Sequence, residues 1–94
     1  MKYKIKTSKL LKKSYKLAKK RGLDVSKLKY IIELLAFDEK LDIKLKDHRL
    51  ISDKNYDNVR ECHIEPDRLL IYKIEEQVLL LKLIRTGKHS DLFE

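Results

Sequence analysis

Tryptophan is absent from this chain, cysteine and proline occur once each, and glycine only twice in 94 residues. A lone Cys62 excludes an internal disulfide and suits a reducing compartment. No apolar run approaches the ~20 residues that a membrane-crossing helix needs. Met1 is followed by the alternating Lys2-Tyr3-Lys4-Ile5-Lys6, where a signal peptide would carry an apolar stretch, so a cytoplasmic protein is expected. Linkers, internal repeats and low-complexity segments are also missing. This length suits one domain spanning residues 1–94, with a modest core and no room for a separate cofactor-binding unit, so no cofactor is expected.

Positive charge is abundant, and it is unevenly placed. Residues 1–46 hold fifteen Lys or Arg against five Asp or Glu, whereas residues 47–94 hold eight against ten. The whole excess of +8 therefore belongs to the first half. A one-signed patch of this kind marks a polyanion partner, for which nucleic acid is the commonest candidate. The plainer account is that these lysines are the wet faces of helices.

Hydrophobic periodicity sets the element order. Tyr3 and Ile5 alternate with lysines, as in a short strand. Thr7 or Ser8 then caps a helix running to about Arg21, its apolar stripe made by Leu10, Leu11, Tyr15, Leu17 and Ala18, and Gly22 ends it. Asp24 or Ser26 opens a second helix through Leu28, Ile31, Ile32 and Leu35, fading after Phe37. From Leu41 to Asn58 the pattern reads as a loop. Three strands follow at Val59–Ile64, Leu69–Ile74 and Val78–Arg85, joined by tight connections that favour antiparallel pairing. The expected fold is α+β, order βααβββ: a small twisted, mainly antiparallel sheet with a helical hairpin on one face and the other face left for a ligand.

Chemistry concentrates in Arg60-Glu61-Cys62-His63-Ile64-Glu65-Pro66-Asp67 and Arg85-Thr86-Gly87-Lys88-His89-Ser90-Asp91-Leu92-Phe93. Imidazole, carboxylate and guanidinium can accept a proton, return one and neutralise phosphate, which is what RNA cleavage without a metal requires. Along the first of these strands Val59, Glu61 and His63 share one side. Arg85 has the parity of Leu81 and Leu83, so either a bulge intervenes or those leucines line the cleft. Taken singly, each residue has a plain reading: Asp67 as turn chemistry beside Pro66, His63 as a strand end, His48 as a loop residue and His89 as a tail residue.

Three motifs in order, Asp47-His48-x-Leu50, Arg60 to Tyr72 and Arg85 to Phe93, closely resemble the YafQ branch of the RelE-like toxins. The resemblance implies the RelE-like fold and an mRNA interferase that cuts messages in the ribosomal A site without a metal. It places the active residues at His48, His63, Asp67, Arg85, His89 and Phe93. His89, with an ordinary pKa near neutrality, is the expected general acid, and Asp67 or His63 the base. Arg85 would stabilise the phosphorane; His48 would contact phosphate or orient the base; Phe93 would stack on a base or lock the tail. Arg68 stands where relatives often have tryptophan and would bind phosphate instead.

The implied partners are a cognate antitoxin, ribosomal RNA and mRNA, together with operator DNA for the toxin–antitoxin complex, the free toxin being monomeric and without membrane contact. Lys9, Lys12, Lys13, Lys16, Lys19, Lys20, Arg21 and Arg68 are the expected RNA-binding residues, acting through sequence-independent charge. One rival is a non-catalytic RNA- or ribosome-binding module. Another is a metal site built from His63, Asp67 and a further histidine, which no cysteine pair or His-Glu-x-x-His supports.

Overall fold

Residues 1–49, 59–88 and 92 are described by the computed structural model. The elements are β1 (Lys4–Thr7), α1 (Lys9–Lys20), α2 (Ser26–Ala36), β2 (His48–Arg49), β3 (Arg60–Glu65), β4 (Arg68–Glu75) and β5 (Leu80–Lys88), with short 3₁₀ turns at Ile43–Leu45 and Glu76–Val78. They form a five-stranded sheet in the order β1-β5-β4-β3-β2. β1 runs parallel to β5 and the remaining pairs are antiparallel. None of the described helices is long and apolar enough to cross a membrane.

Local chemistry accounts for both ends of α1. The Ser8 hydroxyl oxygen accepts from the Leu11 N–H at 3.0 Å, satisfying one of the donors a helix start leaves unpaired. Its own backbone N–H donates to the Leu83 carbonyl at 2.9 Å and its hydroxyl donates to the Ile84 carbonyl, so the cap also fastens α1 to β5. At the other end Gly22 takes φ of +75°, and the N–H groups of Gly22 and Leu23 close onto the carbonyls of Lys19 and Ala18. α2 ends the same way, with Asp38 at φ +59° in place of glycine. The N-cap of α2 is neither expected residue but Val25, which supplies no side-chain cap; Asp24 before it accepts both the N–H and the hydroxyl of Ser26, the first helical residue.

The helices pack on one face of the sheet, where Leu11, Leu28, Ile31 and Leu35 bury Cys62, Ile64, Leu70, Tyr72, Leu81 and Leu83. The expected α1 stripe is narrower than its pattern suggested: Leu10 and Leu17 are 55% and 46% exposed, leaving Leu11, Ala18 and half-buried Tyr15 on the core side. The second face is not bare. Val59, Leu69, Ile71 and Leu92 form a smaller apolar cluster there, with Ile84 against it.

Two expectations about strands need correction. The stretch read as a continuous loop from Leu41 contains the Ile43–Leu45 turn and β2, a two-residue edge strand, while residues 50–58 lie outside those described. β5 begins later and ends later than the expected Val78–Arg85, because Glu76–Val78 coils into a 3₁₀ turn and Leu79 takes a left-handed φ of +50°.

Cys62 lies fully buried under the helices, and desolvation pushes its thiol up from 9.0 to about 12. Because the folded value is raised, the neutral thiol is the stabilised form. Its contribution to stability is complete below pH 9.0 and is lost as pH climbs through about 12. The thiol should therefore resist iodoacetamide at pH 8 in native protein and react once denaturant unfolds it. Rapid native-state alkylation would contradict this placement.

Candidate active site

A β-bulge decides which face Arg85 occupies. β4 and β5 pair Ile71 with Arg85 but Tyr72 with Leu83, leaving Ile84 as the extra residue. Two consecutive residues of β5 thus stand opposite Ile71, and Ile84 packs into the second-face cluster that contains Ile71. Arg85 is thereby released from the parity of Leu81 and Leu83, which stay under the helices. Of the two alternatives left by the sequence, the bulge is the one realised.

The register then draws a line across four strands: His48 of β2 pairs with Glu61 of β3, Glu61 with Ile71 of β4, and Ile71 with Arg85 of β5. His63, Leu69 and Gly87 form the next row along the same face. Neighbouring strands are about 4.8 Å apart, so Arg85 lies two strand spacings, roughly 10 Å, from β3. That is within the combined reach of an arginine and a histidine or glutamate side chain around one phosphodiester.

At one end of this row an imidazole meets a carboxylate. His48 Nε2 lies 3.0 Å from Glu61 Oε1, and His48 Nδ1 lies 2.6 Å from the Lys46 carbonyl. A carbonyl can only accept, so Nδ1 carries the hydrogen that it donates to Lys46, and this fixes the ring with Nε2 towards Glu61. The imidazole is half exposed, whereas the carboxylate is 8% exposed. Glu61 Oε2 is buried and has no hydrogen-bond partner among the described residues. An oriented, exposed imidazole backed by a buried carboxylate is a unit that can exchange a proton with a bound substrate.

Asp47 holds this unit in place. Its carboxylate takes two hydrogen bonds from Arg60, at 3.3 and 3.1 Å, and one from the Tyr72 hydroxyl. The Asp47 carboxylate raises the Arg60 guanidinium further, while burial, followed by the bond to Asp47, pushes the Tyr72 hydroxyl up. Both donors come from the helix-facing side of β3 and β4, so the residue before His48 is pinned through the sheet edge to the core. Glu61 and Asp47 were both missed as functional residues in the sequence. The available signals were an acid sharing the parity of His63 and the Asp47-His48 dipeptide.

The other expected site residues are distributed as follows. His63 is half-buried at the edge of β3 and lines a groove of about 500 Å³ with Tyr30, Lys44 and Pro66. Asp67 is exposed in the β3–β4 turn. Arg68 and Arg85 line a different groove, of about 480 Å³. Among the described residues the groove lined by His63 and the groove lined by Arg85 are separate; what the two side chains share is a sheet face. His89 and Phe93 lie outside the described residues. Among those described, no three His, Cys, Asp or Glu side chains are grouped closely enough to hold a metal ion. Lys9, Lys12, Lys13, Lys16, Lys19, Lys20 and Arg21 are all exposed.

Residues 3–94 match the model of a family described as a bacterial toxin of type II toxin-antitoxin system, YafQ. The chain belongs to the YafQ toxin family. A relative from Escherichia coli strain B / BL21-DE3, named mRNA interferase toxin YafQ, is 44% identical over 82 residues, covering 86% of this chain and 85% of its own. Solved structures agree on the architecture. A crystal structure of a metal-bound toxin from Helicobacter pylori, 42% identical, superposes with a TM-score of 0.88 over 97% of this chain and 99% of that one. The YafQ chain of the E. coli DinJ-YafQ toxin-antitoxin complex, 41% identical, gives 0.85 with 100% of both chains covered. Membership in the YafQ family thus agrees with the α+β architecture of two helices on a five-stranded mixed sheet.

Proposed function

We propose that this YafQ-family chain is the toxin of a type II pair and an endoribonuclease that cuts mRNA in the ribosomal A site. The observation that supports the reading is the cross-strand row His48, Glu61, Ile71, Arg85, which aligns an imidazole–carboxylate pair and a cation on one face. In the proposed reaction a base takes the proton of the ribose 2′-OH, whose oxygen attacks the adjacent phosphorus. The bond to the 5′-oxygen breaks, an acid protonates that oxygen, and the upstream fragment keeps a 2′,3′-cyclic phosphate. Every proton and electron pair is accounted for without a metal ion.

Within this scheme Arg85 stabilises the charge that builds on the phosphorane. His63 or Asp67 serves as base, and His89, following family membership, as acid. The pair of His48 and Glu61 contacts phosphate or relays a proton to the base. Phe93 holds a nucleotide base by stacking. The basic face of α1 engages ribosomal RNA, and an acidic antitoxin covers the cleft, as DinJ accompanies YafQ in the E. coli complex. The same complex is proposed to bind operator DNA. The free toxin is proposed to act as a monomer in the cytoplasm.

The test uses the full chain with programmed ribosomes. Parent protein should leave message ends mapped to the A-site codon, carrying a cyclic phosphate upstream, and His89→Ala should leave none. Activity should persist when zinc and copper are removed by a chelator that spares the ribosome's magnesium. If His89→Ala still inhibits translation as the parent does and no cut ends are found, the chain is a binding module and the nuclease reading fails.

A further inference from the structure

Four cations converge on a groove at the far end of β5 that the chemistry of the row does not use in full. Arg21 from the end of α1, Arg68 from the start of β4, and Arg85 and Lys88 from β5 all line it. Its volume is about 480 Å³, and no carboxylate is among the described residues that form it. None of the four makes an ion pair among the described residues, although other lysines do: Lys2 with Asp38, Lys27 with Glu65 and Lys82 with Glu75. Four like charges around one groove repel one another, an arrangement that favours the arrival of a polyanion. The groove also has apolar walls. Leu17 and Leu23, 46% and 41% exposed, and Leu92 flank the cations. The exposure of Leu17, which the α1 pattern would have placed in the core, gives this groove apolar surface for a ribose or base.

The position of the groove selects the ligand. β1 pairs with β5 only as far as Leu83, so residues 84–88 extend beyond its last partner, and the groove lies at that free end. Arg85 belongs both to the groove and to the row containing His48 and Glu61. Arg68 and Lys88 share the helix-facing parity of Leu70, so a polymer whose scissile phosphate sits at Arg85 reaches them by turning over the free end of β5, where Arg85 joins the row to the groove. Arginine binds phosphate through two parallel donors and lysine as a point charge, so three guanidiniums and an ammonium suit a phosphodiester backbone read without regard to base.

We infer that this groove seats the RNA backbone next to the scissile phosphate, with Arg68, Lys88 and Arg21 as phosphate-binding residues and the flanking leucines as apolar contacts. The inference rests on the nuclease reading for its choice of RNA, but its test does not depend on cleavage. Binding of a short unstructured single-stranded RNA is measured against salt by fluorescence anisotropy, in the His89→Ala background so that no strand is cut. Replacing Arg68 and Lys88 together by glutamine should weaken binding several-fold and flatten the plot of log affinity against log salt by about 0.7 for each cation removed. Arg68→Lys should keep the slope. Lys4→Gln with Lys6→Gln, on exposed β1 positions that do not line the groove, should change affinity less.

An unaltered slope in the groove variant, or an equal loss in the β1 control, overturns the proposal. So does a groove variant that loses binding to polyglutamate while RNA binding is intact, since the surface would then be one for an acidic polypeptide. Absence of message cleavage by the parent chain on ribosomes would remove the nuclease reading and leave the measured RNA track standing.

Discussion

Arg85→Ala is expected to slow cleavage of ribosome-bound message by about 10²–10³-fold, equivalent to roughly 2.7–4 kcal/mol of transition-state stabilisation. The expectation follows from the bulge, which sets Arg85 opposite Ile71 and in line with His48 and Glu61. Arg85 makes no ion pair among the described residues, so its removal strands no charged partner there, and thermal stability should change by no more than about 0.5 kcal/mol. Arg85→Lys should recover part of the rate, because charge is retained while the two-pronged geometry is lost. Single-turnover cleavage with enzyme in excess separates this from weakened binding. A rate constant unchanged at saturating enzyme would move Arg85 out of the chemistry and leave it a backbone contact.

Much of this architecture was legible because it is written in local chemistry. Ser8 as a cap, Gly22 as a stop and the three-and-four spacing of Leu28, Ile31 and Leu35 each have causes within a turn or two of the chain. The phase of β5 was not legible. Leu79, Leu80, Leu81, Leu83 and Ile84 are apolar on both sides of the strand, so alternation cannot mark where it starts or where Ile84 is inserted. β2 was invisible for another reason: two residues form no period, and its existence depends on pairing with residues on the far side of an intervening segment. With β2 unseen, the partner of His48 was also unseen. Glu61 stands thirteen positions away in the chain, and the sequence shows only that it shares a side with His63.

The same pair yields the second large effect, and here activity and stability should move in opposite directions. A carboxylate that is 8% exposed, with one oxygen unpartnered among the described residues, is a costly group to hold in a fold. Its only described partner, His48, is half exposed and is hydrated readily when the pair is broken, so replacing Glu61 does not leave a second buried charge behind. Glu61→Leu should therefore stabilise the protein by about 1–3 kcal/mol, a rise in Tm of several degrees for a chain of this size. Glu61→Gln keeps the shape and should gain less. Both should slow message cleavage by about 10–100-fold, the loss typical of removing the group that orients a working histidine. A residue retained at a cost in stability is what a functional role leads one to expect. Calorimetry and ribosomal cleavage on the same preparations decide it: a Glu61→Leu protein that melts lower and cuts as fast as its parent would make Glu61 a structural residue, and His48 an edge-strand histidine with no part in moving protons.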